Sequence, residues 1–357
     1  MGQYEMTHPP VYPVRQSIPR DISNKVYHGK FIMAILVVLI HTFNLPAYGE
    51  TPRDGLYFFE ILVSQNMACV AVPMFFFLSG MFFFLNVATQ KDVKVEIRKR
   101  YISVVIPYLV WNGLYTFLFL GVLQLPFLNS FMQMNHPLTL ENMLKGLFLF
   151  QYDYHYWYMA HLIVCILISP VLLLLLNNKK TAVITMTVLL ATNVVRLTYG
   201  QAQFFNLFYY FAGAFLVKWY PDLLLHKKYS KKSSVIALIL FSAISVITML
   251  IDSGTVLQVA ILPMMLCFWI FLDLLSHKKV YAFEKESFFV FSIHLAFLLV
   301  IDRVMARLGT SRLCGWIDYL ATPCVCLGAI YIVYKIMTKL LPNVYCVLTG
   351  RPVNKKK

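Results

Sequence analysis

Long apolar stretches separated by short polar segments run along almost the whole chain. Each stretch is about 20 residues long, which is the length of helix that crosses a hydrocarbon layer of roughly 30 Å. Inside such a layer the backbone polar groups must be satisfied within the segment, so these stretches predict transmembrane helices. We therefore expect an all-α membrane helix bundle of about ten transmembrane helices. The expected spans cover residues 30–46, 60–86, 101–124, 155–176, 181–198, 204–219, 233–251, 254–275, 287–306 and 314–341.

The composition supports a membrane domain rather than a soluble one. Hydrophobic residues make up 59% of the chain and charged residues 13%, whereas soluble domains have about 45–50% and about 25%. We expect one transmembrane domain over residues 26–342. Residues 1–25 hold four prolines and no apolar core, so they predict a flexible cytoplasmic arm rather than a signal peptide. Residues 343–357 predict a basic cytoplasmic tail.

The basic residues indicate the orientation of the bundle. With the N-terminus inside, 25 of the 31 basic residues fall in cytoplasmic segments. This bias predicts cytoplasmic N- and C-termini by the positive-inside rule. The net charge of +15 does not indicate nucleic acid, because the basic residues form short clusters between spans with no aromatic-bearing soluble module around them. Membrane lipids are the expected surroundings.

The seven cysteines do not point to a metal or a disulfide framework. They lie mostly within apolar stretches, and the spacing of Cys324 and Cys326 is not that of a metal-ligand pair. We interpret them as small packing residues and expect no metal site.

The first span contains the most informative pair of polar residues. Ten apolar residues separate Lys30 from His41, so both lie on one helix face, with His41 about 16 Å deeper along the axis. A histidine within the membrane is costly and is a functional-site hypothesis by default. Its near-neutral pKa suits it to accept a proton from an attacking hydroxyl. The structural alternatives are a histidine hydrogen-bonded between helices and a lysine that extends to the interface.

Two further segments are weaker signals. Ser79 and Gly80, near the end of the second span, permit close helix contact in a membrane bundle. The basic cluster Arg98, Lys99 and Arg100 suits an anionic headgroup or the phosphates of a cytoplasmic cofactor, and a purely topological role is an equal alternative.

Taken in order, five stretches of the chain resemble motifs of the acyltransferase 3 family of bacterial membrane O-acyltransferases. They are Lys30 with His41, FFFLSG at 75–80, RKRYISVVIPY at 98–108, HYWYMAHL at 155–162 and SFFVFSIH at 287–294. Lys30 stands where arginine is more usual, and Ser103 stands where many members have a second basic residue. Lysine acts as a point charge, which weakens any bidentate phosphate contact at that position.

The resemblance implies transfer of an acyl group, usually acetyl, from cytoplasmic acyl-CoA to a carbohydrate or lipid-linked glycan hydroxyl. By analogy with the family histidine, His41 is the expected general base. The CoA phosphates are expected on Lys30, Arg98, Lys99 and Arg100. The resemblance also implies a multi-pass protein of the bacterial cytoplasmic (inner) membrane. We expect no additional extracytoplasmic hydrolase-like domain, so transfer is expected to be direct or through a separate extracytoplasmic transferase partner.

The acceptor site is less defined. Asp153 and Trp157 lie at the expected outer interface, where an acid with aromatic rings suits a sugar, although aromatic belts there are ordinary. The sequence has no Gly-x-Ser-x-Gly motif and no phosphate loop, so it does not support a covalent serine intermediate.

Two other classes of function fit the composition. A transporter of a glycan or small solute would also place His and Arg residues within the membrane. We see no convincing internal repeat of the kind that transporters often show. A structural scaffold would leave Lys30 and His41 without a purpose, and we rank it last.

Overall fold

Helices account for all the regular secondary structure in the described part of the chain. The computed structural model describes residues 17–44, 54–132, 134, 136–199, 206–309 and 311–352, with the backbone alone for 194–199. Most of the predicted N-terminal arm and residues 353–357 of the predicted tail lie outside these ranges. The all-α prediction is confirmed for the described residues.

The α-helices are numbered in chain order. They are α1 (Arg20–His41), α2 (Gly55–Glu60), α3 (Ala71–Phe84), α4 (Gln90–Arg100), α5 (Ile106–Leu120), α6 (Pro126–Met132), α7 (Leu140–Leu149), α8 (Trp157–Leu167), α9 (Ser169–Leu176), α10 (Lys179–Tyr199), α11 (Asn206–Trp219), α12 (Pro221–Leu225), α13 (Lys231–Ile251), α14 (Gly254–Phe271), α15 (Ser287–Leu308), α16 (Arg312–Leu340) and α17 (Pro342–Leu348). Two π-helical segments, Ile61–Met67 and Tyr101–Val105, lead towards α3 and α5.

Seven helical segments of the described chain are long and apolar enough to cross a membrane. They are Arg20–His41, Gly55–Phe84, Gln90–Gln124, Lys231–Ile251, Gly254–Leu274, Phe283–Leu308 and Arg312–Leu340. The pair Tyr154–Leu167 and Ser169–Leu176, bent by 57°, makes an eighth if it is one span. The protein is therefore multi-pass. The spans expected at 181–198 and 204–219 correspond to α10 and α11 and are not among the seven, so the count of ten stays a prediction, as does the orientation.

The chain divides into two compact units. The first comprises residues 1–36, 61–97 and 164–285, and the second comprises residues 37–60, 98–163 and 286–357.

A close helix crossing organises the first unit. A Cβ atom on Gly80 of α3 would overlap the carbonyl oxygen of Tyr210 in α11, and a Cβ atom on Gly213 of α11 would overlap that of Phe77. The two backbones thus pack directly against each other, as small residues allow in membrane helices. The predicted role of Gly80 in close helix contact is confirmed.

The N-terminal half of α1 is fixed within the same unit. Lys25 is fully buried and forms a 2.9 Å ion pair with Asp273, and its ammonium lies 4.0 Å from the ring centroid of Trp269. His28 contacts Glu284 at 2.6 Å. Helix α1 therefore begins at Arg20, before the expected arm boundary at residue 25, because these buried partners hold its first turns.

The second unit packs α5 against α15 and α17. The hydroxyl of Tyr115 donates to the carbonyl of Ser292 at 3.1 Å, and the indole of Trp111 donates to the carbonyl of Leu348 at 2.9 Å. These polar groups lie in the buried interior or at helix ends. The hydrogen bonds therefore give them the partners that water would otherwise provide. The end of α1, including His41, belongs to this unit.

Candidate active site

His41 is the last residue of α1 and lies beside Tyr154. Its Nδ1 is 3.0 Å from the Tyr154 hydroxyl oxygen, and the two rings meet edge to face with centroids 5.4 Å apart. The Tyr154 side chain is exposed and that of His41 is half-buried. His41 is therefore accessible at one edge and held by a hydrogen bond at another, which is the arrangement that a positioned base requires.

Two further histidines surround His41 in the same unit. The His294 ring centroid is 5.2 Å from that of His41, and the His155 centroid is 4.9 Å from that of His294. His155 and His294 are buried, at 2% and 0% exposure. Three imidazoles thus converge from α1, the 3-10 turn Tyr154–Tyr156 just before α8, and α15.

The protonation pattern of His294 follows from its backbone contact. Its Nδ1 lies 2.7 Å from the carbonyl oxygen of Phe291, and a carbonyl only accepts, so Nδ1 carries the hydrogen. In the neutral ring Nε2 is then an acceptor. Nε2 of His294 has no hydrogen-bond partner among the described residues. An unpaired buried polar atom in a folded protein calls for an explanation, and a catalytic role is one such explanation.

Asp153 lies next to Tyr154 in the chain and is fully buried. Neither of its carboxylate oxygens has a hydrogen-bond partner among the described residues. Burial raises the pKa of the Asp153 carboxyl to about 8, because a low-dielectric environment disfavours the charged form. Trp157 is half-buried, with its ring 5.3 Å from that of His161. The assignment of Asp153 and Trp157 to an acceptor stays a prediction.

A polar network follows His41 along the chain. The backbone N–H of Asn44 donates to Glu60 at 3.1 Å, and its amide donates to Asp318 at 2.8 Å. Asp318 also accepts a hydrogen bond from Thr322. This network links the end of α1 to α2 and α16 within the second unit, so it fixes the direction in which the chain leaves His41.

The residues expected to hold CoA phosphates fall in different units. Lys30 belongs to the first unit, where its ammonium lies 5.0 Å from the ring centroid of Phe82. Arg98, Lys99 and Arg100 belong to the second unit and form the last turn of α4. Arg98 and Lys99 are exposed and Arg100 is half-buried, so the basic cluster is helical and accessible to solvent.

Sequence reasoning singled out His41 but missed the partnership with Tyr154. It assigned no role to Tyr154 or to His294. The available signal was that HYWYMAHL and SFFVFSIH both contain a histidine. Which rings meet depends on contacts between positions more than 100 residues apart, and no local pattern reveals them.

The fold and the histidine cluster belong to a membrane protein with a candidate catalytic site, and one comparison gives its class. Residues 26–338 match a family model described as an acyltransferase domain. Because the match covers nearly the whole chain, the protein belongs to the acyltransferase 3 family, and it is by class a multi-pass membrane acyltransferase. No curated protein and no solved structure matches the chain.

Proposed function

We propose that the protein is an acyl-CoA-dependent O-acyltransferase that transfers an acetyl group to a hydroxyl of a cell-surface or lipid-linked carbohydrate. The observation that carries the proposal is the contact of His41 with Tyr154 inside the three-histidine cluster. We place the protein in the bacterial cytoplasmic membrane, with ten spans and both termini in the cytoplasm. The basic bias of the segments assigned to the cytoplasm supports that orientation.

His41 acts as the general base in this proposal. With its Nδ1–H donating to the Tyr154 oxygen, Nε2 is the acceptor that removes the proton from the carbohydrate hydroxyl. The hydroxyl oxygen then forms a bond to the thioester carbonyl carbon, and the carbon–sulfur bond breaks. The departing CoA thiolate takes the proton from His41, which restores the neutral imidazole. No metal takes part in this sequence.

The acyl donor and the carbohydrate acceptor require different surroundings. CoA carries several negative charges, and Lys30 with the Arg98–Arg100 cluster supplies cations on the side that we expect to face the cytoplasm. The acceptor reaches His41 from its exposed edge, near Tyr154. We keep Asp153 and Trp157 as acceptor candidates, and an extracytoplasmic transferase remains a candidate partner.

Acetyl-CoA turnover tests the proposal. Purified protein in liposomes, supplied with a glycolipid extract, is expected to release CoA thiol, and His41→Ala is expected to abolish release while still binding CoA. Lys30→Ala is expected mainly to weaken CoA binding. His226→Ala is the matched control, because His226 is an exposed histidine in the first unit.

Three results would count against the proposal. Turnover at the wild-type rate in His41→Ala would exclude His41 as the general base. A folded wild-type protein that does not bind CoA would exclude acyl-CoA as the donor. Movement of a glycan across the liposome without any requirement for acyl-CoA favours a transporter.

A further inference from the structure

The C-terminal segment of the described chain ends in a tight turn. After α17, Gly350 adopts a φ of +64°, and the N–H of Arg351 donates to the carbonyl of Cys346 at 2.8 Å. A left-handed residue just after a helix is a common helix end and favours glycine. The turn therefore sets the position of Arg351 relative to α17.

This turn is seated on the beginning of the α5 region. A Cβ atom on Gly350 would lie 2.5 Å from the carbonyl oxygen of Ser103 and 2.7 Å from its Cα, so the two main chains are in direct contact. Ser103 is the middle residue of the π-helical segment Tyr101–Val105, which follows the Arg98–Arg100 cluster directly. Segments of π-helix occur frequently at functional sites.

The guanidinium of Arg351 is held from its inner side. Its Nη2 donates to Glu286 Oε2 at 2.6 Å, and the Tyr345 hydroxyl donates to the same oxygen. The Glu286 side chain is 6% exposed, whereas that of Arg351 is 43% exposed. The guanidinium is thus anchored to a buried carboxylate, although nearly half of the Arg351 side chain is exposed.

The position of Arg351 indicates which kind of ligand its exposed side chain can bind. Ser103 follows Arg100 by three residues, so the contact of Gly350 with Ser103 brings the residue before Arg351 to the segment that directly follows the Arg98–Arg100 cluster. Glu286 balances the charge of Arg351, and the three basic residues of the cluster keep this surface positive. A guanidinium presents several N–H groups in one plane and binds phosphate oxygens in pairs.

We propose that Arg351 binds a phosphate group of CoA together with the Arg98–Arg100 cluster, so that the C-terminal turn forms part of the donor site. This inference rests on the proposed function, which supplies CoA as the donor. The phosphate is either the 3′-phosphate or the pyrophosphate. The alternative is that the Arg351 and Glu286 pair only fastens α17 to α15.

Two substitutions separate these roles. Arg351→Gln removes the cation, and Glu286→Gln removes the carboxylate beneath it but keeps the cation. If Arg351 binds phosphate, Arg351→Gln weakens CoA binding by about tenfold or more, while Glu286→Gln weakens it less, because the cation is kept and only its anchor is lost. If the pair is only a fastening, both substitutions have the same effect on CoA binding.

The measurement is the dissociation constant of CoA for the purified full-length protein, by titration calorimetry. Arg312→Gln is the matched control, since Arg312 is a partly exposed arginine of the same unit that pairs with Asp54 at 2.8 Å. Dephospho-CoA, which lacks the 3′-phosphate, identifies the group bound. If Arg351→Gln no longer weakens binding of dephospho-CoA, the contact is to the 3′-phosphate, and if it still does, the contact is to the pyrophosphate.

The results that overturn the inference are distinct from those that overturn the proposed function. Unchanged CoA affinity in Arg351→Gln, or an equal loss in Arg351→Gln and Glu286→Gln, excludes the phosphate contact while the wild type still binds CoA. A folded wild type that does not bind CoA excludes both.

Discussion

The hydroxyl oxygen of Tyr154 lies 3.0 Å from Nδ1 of His41, although 113 positions separate the two residues in the chain. A partner at Nδ1 selects which ring nitrogen carries the hydrogen. If Nδ1–H donates to Tyr154, Nε2 is the acceptor, and that is the form that a general base needs. We therefore propose Tyr154 as a positioning residue for His41.

Replacement of Tyr154 by phenylalanine tests this positioning role. We expect kcat to fall about tenfold, which corresponds to roughly 1.4 kcal/mol and to the loss of one hydrogen bond. CoA affinity should not change, because the substitution keeps the ring. Steady-state thiol release with calorimetric binding measures both quantities. Tyr281→Phe, at an exposed position, is the control, and an unchanged kcat in Tyr154→Phe would show that His41 does not depend on this contact.

His294 provides a second test of the histidine cluster. Its Nδ1–H is committed to Phe291, so the buried Nε2 presents a lone pair within the cluster. His294→Phe keeps a ring of similar shape and removes both nitrogens. We expect turnover to fall by at least tenfold with CoA binding retained, on the scale of a lost hydrogen bond to a charged group. Turnover equal to that of the wild type would make His294 a packing residue only.

The buried carboxyl of Asp153 is expected to make the stability of the protein depend on pH. Its carboxyl has a pKa of about 8 in the folded protein against 3.8 when unperturbed, so the folded state binds the proton more tightly than the unfolded state. Stability should therefore fall as the pH rises from about 4 to about 8. Asp153→Asn stays neutral and should not show this fall.

Thermal unfolding of the wild type and Asp153→Asn in detergent, at pH 5.5 and pH 8, checks the sign. We expect the midpoint of the variant to rise relative to that of the wild type between these two values. If the two midpoints differ by the same amount at both pH values, the Asp153 carboxyl does not take up a proton on folding.

The crossing of α3 and α11 gives a prediction for packing. Gly80→Ala would place a methyl group on the Tyr210 carbonyl, and overpacking of this kind costs about 1–3 kcal/mol. Gly328→Ala is the matched control, because it also lies inside a helix and its Cβ atom would meet nothing within 4 Å. Differential scanning fluorimetry should show a lower midpoint for Gly80→Ala and no loss for Gly328→Ala. Equal midpoints for Gly80→Ala and Gly328→Ala would show that α3 and α11 accommodate the added methyl group with no loss of stability.

The sequence predicted the parts of this structure that depend on composition and local spacing. The apolar stretches predicted a multi-pass helical protein, and the ten-residue interval placed Lys30 and His41 on one unbroken helix. The motifs led to the correct family. These features are local because hydrophobic length and helical periodicity are properties of one segment.

The partners of individual side chains were not predictable in the same way. Lys25 looked like one more cytoplasmic cation, yet it is buried against Asp273, which lies 248 positions away. The contact between Gly350 and Ser103 also joins distant segments. Such contacts depend on how helices pack, and a single sequence carries no periodic signal for them.

The α3 and α11 crossing also has a consequence for the assembly of the first unit. Gly80 meets Tyr210, and Phe77 meets Gly213, so the two helices run antiparallel through this point. Each glycine faces a bulky residue of the other helix, and that residue lies three positions from the glycine of its own helix. A shift of either helix by one turn would bring side chains onto the backbone of the other. The two glycines thereby fix the register of α3 against α11, and an offset of one turn in either helix during folding would leave the pair unable to dock.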